Sequence, residues 1–121
     1  VVICDGEVLG KPVDEADAIR MLKMLSGKTH HVVTGVTLGR GCRYSSFSVD
    51  TAVTFRELSD QEIKAYVKSG EPMDKAGAYG IQGLGALLVE KIDGDFYNVV
   101  GLPVSRLAEE LHDFLKKVQS K

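Results

Sequence analysis

The residues best equipped for chemistry in this chain are Asp74, Lys75 and Gln82. They sit in the run Ser69-Gly70-Glu71-Pro72-Met73-Asp74-Lys75-Ala76-Gly77-Ala78-Tyr79-Gly80-Ile81-Gln82-Gly83, which is dense in glycine yet lies between two clearly patterned segments. Glycine has no Cβ, so such a run, with Gly77 near its middle, can bring main-chain N–H groups against a phosphate or a base. Gln82 carries both a donor and an acceptor, which suits the edge of a base. Asp74-Lys75 alone reads equally as a surface ion pair. The context speaks for more: so many glycines in one long loop destabilise a fold unless something must approach the backbone closely.

Lys11, between Gly10 and Pro12, is either an exposed loop lysine or an ammonium aimed at an anion by a backbone that proline stiffens. Thr34-Gly35 interrupts a valine-rich stretch, and glycine there means either a bulge or room for a ligand. Other motifs dissolve on inspection. Ser26-Gly27-Lys28-Thr29 has Leu22 where a P-loop needs its first glycine, and it follows a helix instead of opening one. Gly80-Ile81-Gln82-Gly83-Leu84-Gly85 has the dinucleotide fingerprint's spacing reversed. His30 and His31 are adjacent on a strand and point to opposite faces, so they cannot easily share a metal ion; both read as polar strand-entry residues. Ser46, His31 and Asp50 form no triad that the sequence brings together, and no nucleophile elbow surrounds any serine.

The elements that must position these residues follow from periodicity. Val1 to Cys4 and Glu7 to Leu9 read as a hairpin about Asp5-Gly6. Asp14 caps a helix over 15–25 with Ala18, Met21, Leu22 and Leu25 on its apolar face, and Gly27 follows as its stop. His31 to Leu38 and Ser46 to Phe55 read as an antiparallel hairpin around the loop Gly39-Arg40-Gly41. Ser59 and Glu62 make a capping box for a short helix burying Ile63, Tyr66 and Val67, which Gly70 ends. Beyond the glycine-rich run, Ala86 to Ile92 and Phe96 to Val100 read as a second hairpin about Asp93-Gly94. Ser105 is expected to cap a last helix with Leu107, Leu111, Phe114, Leu115 and Val118 on one face. Helices and strands are interspersed, so a mixed α/β or α+β fold is expected.

At 121 residues the chain is expected to be one domain, residues 1–121. A net charge of -2 argues against an electrostatic grip on nucleic acid or an anionic membrane. The two cysteines, Cys4 and Cys42, match no zinc or redox spacing and read as reduced thiols of a cytoplasmic chain. No apolar run approaches the roughly 20 residues that span a bilayer. The sequence opens without Met on a buried-looking strand, an unusual place for a native start.

Taken jointly, several stretches resemble the Maf family of nucleotide pyrophosphatases. They are Gly6-Glu7-Val8-Leu9-Gly10-Lys11-Pro12, Met21-Leu22 with Leu25-Ser26-Gly27, His31-Val32-Val33-Thr34-Gly35-Val36, the run 69–83, and Asn98-Val99-Val100-Gly101-Leu102-Pro103. The resemblance implies a mixed twisted sheet flanked by helices, of the Maf and ITPase-like kind. It implies an enzyme that hydrolyses nucleoside triphosphates to monophosphate and pyrophosphate with a divalent cation, Mg²⁺ or Mn²⁺. The form taken by residues 75–83 resembles the branch acting on dTTP and UTP, with modified pyrimidine nucleotides as further expected substrates. By that resemblance Lys11 and Lys75 line the phosphate cleft, Asp74 assists Lys75 or touches the metal through water, and Gln82 reads the base. Thr34, Gly35 and Gly77 complete the expected substrate site. The resemblance also allows a homodimer. The family's Ser-x-x-Arg-Arg-type phosphate loop, glutamate helix and Ala-Asp-Thr segment, whose aspartate serves as general base, have no counterpart in residues 1–121. The chain is therefore expected to be the C-terminal portion of the fold. The alternative expectation is a nucleotide-binding module without turnover, or an inactive fragment.

Overall fold

The structure, a computed structural model, describes residues 1–119. A five-stranded antiparallel sheet forms its centre, in the order β2-β1-β3-β4-β5. The strands are β1 (Val2–Cys4), β2 (Glu7–Leu9), β3 (Thr29–Arg40), β4 (Arg43–Phe55) and β5 (Val89–Asp93). Helices α1 (Glu15–Leu25) and α2 (Asp60–Lys68) contribute their apolar faces to the core. The mixed α/β class expected from the sequence is the one observed.

Helix α1 shows why the local reading works. The Asp14 carboxylate accepts the Asp17 N–H at 2.7 Å, which satisfies one of the orphan donors of the first turn. Ala18, Met21, Leu22 and Leu25 are all buried, and each of the larger three removes enough apolar surface to stabilise the fold by roughly 1.5–3 kcal/mol. The helix ends where Ser26 donates its N–H to Leu22 O and Gly27 turns left-handed. Helix α2 starts with the expected capping box of Ser59 and Glu62 and buries Ile63, Tyr66 and Val67.

The hairpin β3–β4 is longer than its pattern suggested. Its register runs unbroken from Thr29 opposite Thr54 to Arg40 opposite Arg43, so Gly39 and Arg40 belong to the strand. Gly35 pairs with Ser48 inside that ladder, which excludes a bulge there. On the sheet's open face His31 Nδ1 meets Asp50 Oδ1 at 2.8 Å, while Ser46 is bound to Thr37 at 2.9 Å; the three do not form a triad. Lys28 pairs with Asp5 at 2.9 Å, an ordinary surface ion pair. Cys4 is buried, Cys42 is exposed, and both are free thiols.

Three expectations are corrected. Residues 83–88 form a 3-10 helix, and only Val89–Asp93 continue as strand. Phe96–Val100 is a helix, α3, and not a strand. The Asp95 carboxylate accepts the N–H groups of Tyr97 and Asn98, so a helix nucleates where Asp93-Gly94 had suggested a hairpin turn. The last helix, α4, spans Val104–Gln119 and already contains Ser105; Leu107 donates to Pro103 O at 2.9 Å, so Pro103 occupies the cap position. Of the apolar face of α4, Phe114 is buried, Leu107 and Val118 are half-buried, and Leu111 and Leu115 are exposed. Arg106 stacks its guanidinium over Phe47, 5.2 Å from the ring centre, where α4 meets the outer half of the hairpin.

Candidate active site

A cleft of about 590 Å³ opens between the glycine-rich loop, the start of β1, the middle of β3 and helix α3. Val1, Val2, Val32, Val99 and Val100 give it apolar walls, and Thr34, Glu71, Lys75, Gln82 and Asn98 supply the polar groups. A partly apolar cleft of this size with a few convergent polar groups has the proportions of a small-ligand site.

The glycine-rich loop folds as short 3-10 turns, Glu71–Asp74 and Ala76–Ala78, which place Lys75 between them. Lys75 lines the cleft, with its stem against Gly80 and its ammonium 3.3 Å from the Asp74 carboxylate. Gln82 also lines the cleft and is exposed. Gly77 has φ +75°, and a Cβ there would stand 3.0 Å from the Val2 side chain. It is buried and donates its N–H to Gly10 O at 3.0 Å. That bond ties the loop to the segment carrying Lys11, an exposed residue that does not itself line the cleft. The structure therefore gathers Lys75, Gln82 and Thr34 in one cavity. Asp74 stands beside Lys75 with its side chain 79% exposed, and Gly35 lies one residue from Thr34 on β3 in open space.

Side chains from the core, Tyr66 and His30, and Glu71 at the loop's own root hold it in place. The Tyr66 hydroxyl accepts the Gly80 N–H at 3.1 Å. Glu71 accepts Leu84 N–H at 3.1 Å and Gly85 N–H at 2.9 Å. The Tyr79 hydroxyl meets His30 Nε2 at 2.7 Å inside a cluster of edge-to-face rings with Phe55. His30 is thus a core residue and not a polar strand-entry group. It is fully buried, and burial holds its pKa down at about 4, so the ring is neutral near pH 7. Burial also pushes the Tyr66 and Tyr79 hydroxyls up, and the Glu71 carboxylate adds to the effect at Tyr66. Both hydroxyls therefore stay protonated.

Asn98 forms the cleft's far support. It is 1% exposed, and its Nδ2 donates to Val32 O at 3.0 Å and to Val49 O and Thr51 Oγ1 at 3.1 Å, pinning α3 to β3 and β4. Its Oδ1 has no hydrogen-bond partner. Sequence reasoning missed Glu71, Asn98, Tyr66 and His30 as site-building residues. Glu71 lay inside the singled-out run, but nothing in its spacing shows where its carboxylate turns.

Among the described residues no group of three or more His, Cys, Asp or Glu is placed to hold a metal ion, and no helix is long and apolar enough to cross a membrane. The profile of the Maf-like protein family matches residues 1–114. The dTTP/UTP pyrophosphatase of Bacillus velezensis is 54% identical over 114 residues, covering 94% of this chain and 60% of its own length. That of Bacillus pumilus is 53% identical over the same shares, and that of Syntrophomonas wolfei is 56% identical over 110 residues, 88% of this chain and 58% of its own length. The chain spans about 60% of the length of the curated relatives it matches. With a family match over nearly its whole length and identities above one half, the chain belongs to the Maf-like family.

Proposed function

We propose that the cleft binds a pyrimidine nucleoside triphosphate, dTTP or UTP, and serves its hydrolysis to the monophosphate and pyrophosphate. The observation that carries this reading is the joint placement of Lys75 and Gln82 in one cleft, on a loop anchored at both flanks. The printed names of relatives more than half identical in sequence support the same substrate.

In this mechanism water attacks the α-phosphorus and pyrophosphate departs. Charge grows on phosphoryl oxygens, so fixed cations and N–H donors supply most of the stabilisation. Lys75 neutralises that charge from the cleft, and Lys11 adds a second ammonium beside the Gly10–Gly77 link. Asp74 orients Lys75 through their ion pair. Gln82 hydrogen-bonds the base edge across from Thr34, with Gly35 beside Thr34 on β3 and the buried Gly77 holding the loop to the Gly10 segment. The exposed Asp74 would be the carboxylate to touch, through water, a Mg²⁺ or Mn²⁺ ion brought by the phosphates. Such an ion would supply charge neutralisation on the phosphate oxygens. Glu71, the one carboxylate among the residues lining the cleft, already accepts two main-chain N–H groups and is not assigned as general base. A nucleotide pool as substrate supports a cytoplasmic location.

The occupied state of Glu71 also favours a second reading, a module that binds nucleotide without turnover. Pyrophosphate release from UTP with Mg²⁺, measured beside calorimetric binding, separates the two. Release with saturation supports the enzyme, saturation without release supports the module, and neither signal at millimolar nucleotide refutes both.

A further inference from the structure

We propose that Glu71 is a positioning residue that closes the glycine-rich loop like a buckle and thereby sets selectivity for a pyrimidine over a purine nucleotide. The inference rests on the reading of the cleft as a pyrimidine nucleotide site.

Glu71 begins the first 3-10 turn of the loop, four residues before Lys75. Its carboxylate reaches forward to the N–H groups of Leu84 and Gly85, 13 and 14 residues on, just beyond Gln82. Lys75 and Gln82 therefore both lie inside a ring of chain that this one side chain shuts. Hydrogen bonds to an ionised carboxylate are about twice as strong as neutral ones, and closing the ring removes freedom the open loop would keep. Gly83 is part of the device: at φ +81°, a Cβ on it would overlap Glu71 Oε1. The turn wraps the carboxylate because no side chain stands in the way.

The consequence is a fixed span between the cation that meets the phosphates and the carboxamide that meets the base. A carboxamide can turn over to offer either end, so hydrogen bonding by Gln82 alone discriminates weakly among bases. A rigid span discriminates by size, admitting a one-ring base and excluding a two-ring base. The valine walls of the cleft cannot supply this limit where the loop forms the boundary.

The test measures calorimetric affinity of the protein for the α,β-imido analogues of UTP and ATP, and for inorganic tripolyphosphate, which probes the phosphate end alone. Glu71→Gln keeps one acceptor oxygen and loses the other. It is expected to cut the UTP-over-ATP preference by about tenfold, the equivalent of one lost hydrogen bond, while tripolyphosphate affinity stays within about twofold. Gly83→Ala attacks the same contact from the other side and is expected to reduce the preference likewise. Faster amide exchange at Leu84 and Gly85 in both variants accompanies that result. An unchanged preference in a folded Glu71→Gln protein overturns the proposal. So does a parallel loss of affinity for all three ligands, which marks a merely structural role. A native protein that binds tripolyphosphate yet shows no preference for UTP refutes the pyrimidine reading itself, and the inference with it.

Discussion

The hairpin β3–β4 and the glycine-rich loop 71–85 hold their shapes by different means. The hairpin is a main-chain ladder, continuous from its base to its tip. Its stability is spread over many backbone hydrogen bonds, so no single side chain decides its geometry. The loop has no ladder. It is fastened by Tyr66 at Gly80, by His30 at Tyr79, and by Glu71 at Leu84 and Gly85. The region that lines the cleft thus depends on a few side chains planted in the core or at the loop's root. A ladder tolerates surface change, whereas a fastened loop is vulnerable at each fastening.

The sharpest way to break this comparison is through the groups that line the cleft. Lys75→Ala removes the cleft's ammonium without touching the core. Transition-state stabilisation should fall by about 3 kcal/mol, roughly a hundredfold in kcat for pyrophosphate release from UTP. The melting temperature should move little, and a large drop in stability with intact turnover would contradict the assignment.

Acid should loosen the loop's aromatic fastening next. His30 has its pKa lowered from 6.5 to about 4 in the folded chain. Between those values the unfolded chain binds the proton and the folded chain does not, so unfolding takes up a proton. Stability therefore declines as pH falls from about 6.5 and levels off below about 4, by roughly 3 kcal/mol in all. Urea titrations across that window should show the slope, and His30→Leu should flatten it whatever its baseline. An equal slope in the variant would assign the acid sensitivity elsewhere.

A smaller effect is expected from Tyr79→Phe, which deletes only the hydroxyl. Losing the bond to His30 should cost about 1 kcal/mol in chemical denaturation. The smallest belongs to the ladder. Thr37→Val removes the exposed bond to Ser46 and should change stability by no more than about 0.5 kcal/mol. If Thr37→Val proves as damaging as Tyr79→Phe, the contrast between the two regions fails.

The same contrast explains what could be read from the sequence. Helix α1 was legible residue by residue because cap, apolar period and glycine stop are local signals, and each acts within one turn of its own position. The hairpin was legible because alternation of Phe47, Val49, Thr51, Val53 and Phe55 is itself local; its tip was trimmed short, and β3 starts two residues earlier, at Thr29. The loop was visible as a glycine-rich exception, and Lys75, Gln82 and Thr34 do share the cleft. Its fastenings were not legible. The Glu71 contacts bridge 13 and 14 residues, and the His30 contact bridges 49, distances over which spacing carries no signal. Helix α3 was missed because the Asp93-Gly94 turn signal outweighed Asp95 as a cap. What settles the matter in the structure is Asn98, whose amide takes acceptors on β3, and on β4 both Val49 O and Thr51 Oγ1, that only the assembled sheet provides.

The single bond from Gly77 to Gly10 joins two stretches that are otherwise far apart along the polymer. Lys11 follows one partner directly and Lys75 precedes the other by two residues. Their positive charges are consequently carried on a shared frame and not on independent arms. A shift of the backbone at one lysine is therefore passed to the segment of the other through that bond.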